Sequence, residues 1–255
     1  MRPLLPALLL VVAALAGAVP STPAGAADTV TAEAPPVGPF HRVEFSGHAE
    51  LILVQGEREA VVIEASPKAH ARVRVRSQDG RLRIDASENV SWWSWFGSGS
   101  GRGPTITVYF KTLEALEMSG AVKVTSSAIH TPTLRVSASG ATSMKVDSLK
   151  VDALRFAGSG AVKGEFAGSA TDQEISISGA GAYRAPKLLS ETAAVTVSGA
   201  GKVVVNAQKK LDASISGAGA IEYFGDPALK QRVSGAGKIT RRSSGEAAPV
   251  RLRVA

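Results

Sequence analysis

The chain has no cysteine, only 5% aromatic residues and four histidines among 255 positions. Each shortage excludes something. Without thiols there are no disulfides and no Cys-based metal or redox site, so stability must come from packing alone. His41, His48, His70 and His130 are scattered without ligand spacing, which argues against a zinc centre, and no other metal or cofactor is expected. Aspartates do not follow the glycine pairs, as calcium-binding glycine repeats require. Beyond the N-terminal segment no apolar run is long enough for a transmembrane helix, so the mature chain is expected to have none.

What the chain has in excess is glycine, 26 residues, placed periodically. Ser178-Gly179-Ala180-Gly181, Ser198-Gly199-Ala200-Gly201, Ser216-Gly217-Ala218-Gly219 and Ser234-Gly235-Ala236-Gly237 are four copies of one turn, and looser copies end at Gly120, Gly140 and Gly160. Aligning these three with the second glycine of each later copy gives a period of 18 to 21 residues, the length of one solenoid coil. Two residues after that glycine stand Val122, Thr142, Val162, Tyr183, Val203, Ile221 and Ile239; four before it stand Leu116, Val136, Phe156, Ile177, Val197, Ile215 and Val233. Alternation on a period of two marks strands, and no copy carries the 3.6-residue pattern of a helix. A flexible Gly/Ser linker would not keep valine and isoleucine in register. The expected fold is an all-β, parallel β-helix, a β-solenoid of about 18–21-residue coils whose glycines form the corners.

The remaining segments frame that solenoid. Residues 1–26 read as a signal peptide: Arg2 gives a short basic region, Leu8 to Leu15 an apolar core, and Ala24-Gly25-Ala26 a cleavage site. Export to the periplasm or beyond the cell follows, with cleavage near Ala26. Residues 27–39 read as a linker. Residues 40–240 form the single solenoid domain, of which 40–111 are β-rich and either start the solenoid or cap it, and 112–240 carry the glycine coils. The hairpin signal Asp79-Gly80 lies in the first part. Residues 241–255 are a tail or a second cap, with Val250, Leu252 and Val254 alternating with Arg251 and Arg253.

The β-rich start, the serial Ser-Gly-x-Gly copies and Gly225-Asp226-Pro227 before the last copy resemble the family known as putative autotransporter adhesin, head domain, over about Phe40 to Thr240. The resemblance implies an exported bacterial protein with right-handed β-helix character and an adhesin-like role, and it brings no catalytic residues. The chain departs from the pattern twice. Early copies such as Met118-Ser119-Gly120 lack what reads as the first glycine, and the tryptophan segment has no counterpart.

Two surfaces are candidates for ligand or partner contact. Trp92, Trp93, Trp95 and Phe96 cluster in a glycine-rich loop, either as a binding platform or as a cap over the apolar end. The formal charge is +7, and Lys123, Lys163 and Arg184 fall three residues after the aligned glycine, a basic ladder suited to a polyanion or simply a solvated outer face. Catalytic chemistry finds little support. Asp147 and Asp152, Asp172 and Glu174, and the trio Asp212, Glu222 and Asp226 do not recur with a basic partner, and no nucleophile elbow surrounds the corner serines. Nucleic-acid motifs are missing despite the basic charge. The expectation is an exported, non-enzymatic binding module for an envelope or extracellular glycan or protein. A β-helix polysaccharide lyase or hydrolase is the alternative, and a structural envelope protein self-associating through its solenoid ends is a third reading.

Overall fold

The computed structural model describes residues 29–86 and 103–243. The chain builds a β-solenoid of about six turns of parallel strands, nearly all β with one short helix. The strands are β1 (Val30–Glu33), β2 (Arg42–Gln55), β3 (Ala60–Ala65), β4 (Arg74–Gln78), β5 (Arg81–Ala86), β6 (Thr105–Phe110), β7 (Ala115–His130), β8 (Thr133–Gly160), β9 (Lys163–Gly179), β10 (Ala182–Gly199), β11 (Lys202–Gly217), β12 (Ala220–Phe224), β13 (Ala228–Ser234) and β14 (Lys238–Arg241), with α1 (Pro67–His70) after β3.

Parallel pairing runs from β2 through β7, β8, β9, β10 and β11 to β12 and β14, while β13 pairs with β11. The N-terminal segment both starts and covers the stack. Strand β2 is a full coil, with Gly47 in register with Gly120. Strands β5 and β6 add beneath its two halves in parallel, whereas β4 on β5, β3 on β6 and β1 on β3 are antiparallel and finish that end. Antiparallel strands break the coil-on-coil pattern and leave the first coil's apolar face covered. Gln55 ties this end together: its Nε2 donates to the carbonyls of Lys111 and His130, and its Oε1 accepts from the His130 N–H.

The strand register corrects the glycine alignment. Gly160 stacks on Gly179, not Gly181, and the column continues through Gly199 and Gly217. Gly47, Gly120, Gly140, Gly160, Gly179, Gly199, Gly217 and Gly235 all have φ between 86° and 122°. The corner is therefore the first glycine of each Ser-Gly-x-Gly copy, and the early copies lack the second. Gly181, Gly201 and Gly219 lie buried in the column that Val122, Thr142 and Val162 occupy in earlier coils. The misalignment is two residues, and a slip of two keeps every side chain on its own face, so the apolar columns could not reveal it.

Inward positions of successive coils form one continuous core, including Val43, Leu116, Val136, Phe156, Ile175 and Val195 in a single column. Inward glycines give room to aromatics midway along it. A Cβ on Gly164 would stand 2.9 Å from Phe166, which packs edge-on to Phe156 and stacks on Tyr183. The Tyr183 hydroxyl donates to Gln173 Oε1 at 2.8 Å, both side chains being buried. Burial raises the tyrosine pKa above its ordinary value of 10.0.

Candidate functional site: two outer faces of opposite chemistry

The corner glycine divides each coil into two sides. Because side chains alternate, the outward residues of each side form columns that run along the solenoid, one residue per coil, about 4.8 Å apart.

On the side after the glycine the outer columns are charged and paired. Glu50, Lys123, Ser143 and Lys163 form one column, followed by Ala182 and Lys202. Lys123 pairs with Glu50 at 2.8 Å and Lys163 with Glu165 at 2.9 Å. Arg184 is not in this column: it stands beside Glu165 in the next one, with Val204 on its other side. Lys163, hydrogen-bonded to Glu165, holds that carboxyl below its ordinary range despite partial burial, with Arg184 and Lys145 adding to the effect. The residues expected to form a basic ladder are thus split between two columns and largely neutralised by neighbouring carboxylates.

The side before the glycine is different. Ser46, Ser119, Ser139, Ser159, Ser178, Ser198, Ser216 and Ser234 form an unbroken column of serines. Two residues earlier, the next outward column over the central coils reads Ser137, Ala157, Ser176, Thr196 and Ser214. Together they make a lattice of small side chains, all hydroxyl-bearing except Ala157, spaced about 4.8 Å between coils and roughly 6.6 Å along each strand. Of the hydroxyls in these two columns, only that of Ser139 has a protein acceptor among the described residues, a 3.4 Å bond to the Met118 carbonyl. The other hydroxyls each keep one donor and two acceptor positions for solvent or ligand. A shallow groove of about 560 Å³ follows these columns and meets Glu44, Glu117 and Arg83 at the capped end.

Position explains why these residues are small and polar. The serine immediately precedes a left-handed glycine at a tight corner, and a bulky group repeated every 4.8 Å or so would crowd its neighbours. What the sequence reading missed is the second column, although its signal, Ser-x-Ser or Thr-x-Ser before the glycine, is legible at Ser137, Ser176, Thr196 and Ser214.

Trp92, Trp93, Trp95 and Phe96 lie outside the described residues. The chain on either side of them is placed: Ala86 is in register with Gly47, and Thr105 with Glu50. The acidic candidates are dispersed, and among the described residues all but Asp152 are engaged: Asp147 with Lys145, Glu174 with Arg155, Asp172 with Thr192, Asp212 with Lys230, Glu222 with Lys202 and Arg242, and Asp226 with Arg241.

Residues 39–227, nearly the whole solenoid, match the family described as "Putative auto-transporter adhesin, head GIN domain". The chain belongs to this family. Among solved structures, one described as a putative adhesin from Bacteroides fragilis superposes with a TM-score of 0.77 at 20% identity, covering 84% of this chain and 97% of that one. A putative lipid binding protein from Parabacteroides distasonis gives 0.62 at 18% identity, covering 84% and 97%. A putative adhesin from Parabacteroides merdae gives 0.61 at 21%, covering 84% and 96%. At these identities the likeness speaks for the adhesin-head fold alone. No curated protein matches the sequence significantly.

Proposed function

We propose that this adhesin-head family member is an exported, non-enzymatic binding module that uses its hydroxyl face to hold an extended, neutral glycan at the bacterial envelope or outside the cell. The observation that carries the reading is the two-column lattice of small side chains with unspent hydroxyls. Each coil offers the same pair of positions, so a polymer of similar repeat lying along the solenoid meets them again and again. A single hydrogen bond contributes only about 0.5–1.5 kcal/mol net, and repetition over several coils turns weak contacts into useful avidity.

The N-terminal sequence pattern supports export, and the family's description supports an envelope or extracellular setting. The acidic candidates named from the sequence are dispersed, and Glu44, beside Glu117 at the groove's end, is tied to Arg81 and Arg83, which favours binding over hydrolysis, since glycosidic cleavage needs two carboxyl groups free to face one bond. The tryptophan segment is a second contact in this reading, for its aromatic rings suit the apolar faces of sugars.

A screen of neutral and acidic glycans tests the proposal, with the wild type beside a Trp92→Ala/Trp93→Ala/Trp95→Ala variant. Saturable binding to neutral, extended glycans, weakened in a folded variant, supports it. Binding only to acidic glycans, or release of product from them, contradicts it.

A further inference from the structure

The two ends of the solenoid are finished differently. At the N-terminal end three antiparallel strand pairings cover the first coil. At the other end, β13 and β14 each pair on one side only among the described residues. The inward columns run out into solvent there. Leu229 is 38% exposed above a fully buried Leu211, and Val233 is 43% exposed above a buried Ile215. Ile239 is half-buried above Ile221.

This edge is also cationic. From Asp226 to Arg242 there are five cations, Lys230, Arg232, Lys238, Arg241 and Arg242, and Asp226 is the one carboxylate. Lys230, Arg241 and Arg242 reach Asp212, Asp226 and Glu222. Arg232 and Lys238 have no carboxylate partner among the described residues. A groove of about 370 Å³ at this end is lined by Ala220, Glu222, Lys238, Thr240, Arg241 and Arg242, Glu222 being paired with Lys202 and Arg242.

We infer that the C-terminal coil is a docking edge for an extended protein segment in which apolar residues alternate with acidic ones. Such a segment would add as a further strand, bonding to the free backbone groups of β13 or β14. On β13 its apolar residues would continue the columns of Leu229 and Val233 with a carboxylate across from Arg232; on β14 they would continue that of Ile239 with a carboxylate across from Lys238. Charge selects this occupant. Residues 250–254 of the same chain alternate valine and leucine with Arg251 and Arg253, which would set cation against cation. A second copy docked end to end by two-fold symmetry would do the same, and edge cations are a common device against self-pairing.

The test is titration of the full-length protein with a synthetic octapeptide alternating Val or Leu with Asp or Glu. Controls are the same peptide with Lys for the acids, and one with proline at alternate positions. The acidic peptide is expected to bind. Arg232→Glu with Lys238→Glu is expected to weaken it at least about tenfold and to confer binding of the Lys peptide. Proline is expected to abolish binding to the wild type, a readout that does not depend on any variant folding. Equal binding of the proline peptide, or of a sulfated polysaccharide that competes with it, would make this an electrostatic polyanion patch and overturn the inference. So would binding that appears only after removal of residues 244–255, or a concentration-dependent dimer in sedimentation that excludes the peptide.

Discussion

A Cβ placed on Gly199 would stand 2.8 Å from the carbonyl oxygen of Gly179, one coil below. The same carbonyl accepts the Ala200 N–H at 3.0 Å. Coil spacing at the corner is thus set by backbone stacked on backbone, and φ at Gly199 is 114°, where an L side chain is strained. Gly199→Ala is expected to cost about 1–3 kcal/mol from strained backbone alone, plus the clash. Gly201→Ala is expected to cost less. Its φ is ordinary, its nearest neighbour at the same 2.8 Å is a side-chain methyl of Ile177 and not backbone, and earlier coils hold Val122, Thr142 and Val162 in that column. Thermal melts should order wild type, Gly201→Ala, Gly199→Ala; the reverse order of the two variants would contradict the register.

The buried pair Tyr183 and Gln173 should behave as a unit. Gln173 Nε2 already has no protein partner, so losing the tyrosine hydroxyl leaves the whole amide unsatisfied. Tyr183→Phe is expected to destabilise by about 1–3 kcal/mol, whereas Tyr183→Phe combined with Gln173→Leu recovers most of that loss. Denaturant unfolding of the two variants measures it, and strictly additive losses would show that the bond is not the cause.

The charged face should matter little for folding. Lys123 and Glu50 are both well exposed, and removing either is expected to change stability by about 0–1 kcal/mol. Glu222 is different. Burial pushes its pKa up, but bonds from Lys202 and Arg242 more than offset this and hold it below its ordinary value of 4.5. A carboxyl lowered on folding binds fewer protons than in the unfolded chain, so its contribution is full above pH 4.5 and fades as pH falls through the lower, folded value. Glu222→Gln should therefore flatten the acid limb of the stability profile below that pH and leave the neutral region's slope unchanged.

Much of this architecture was legible because its signals are local and repeated. The Ser-Gly copies and the alternating valines and isoleucines specify strands, corners and period without knowledge of neighbours. The register was harder: Gly181 and Gly179 differ by two, the one error a two-residue side-chain period conceals. The site was least legible. Lys123, Lys163 and Arg184 look alike in sequence, but their carboxylate partners Glu50 and Glu165 come into view only when strands pair. The hydroxyl face had a signal in Ser176 and Thr196, yet serine near glycine reads first as turn chemistry.

One paired measurement tests the hydroxyl face most directly. Ser159→Arg/Ser178→Arg/Ser198→Arg puts bulk and charge across the serine column, while Lys163→Ala/Lys202→Ala alters the opposite side to the same extent along the solenoid. Stacked arginines crowd and repel one another and Lys202 pairs with Glu222, so both sets are expected to lower the melting temperature somewhat, and affinity is read where each variant keeps its β-structure. Titrated with the neutral glycan that binds the wild type, the arginine variant is expected to lose at least about tenfold in affinity and the alanine variant to match the wild type. Equal affinity of the arginine variant and the wild type, or loss confined to the alanine variant, would contradict it.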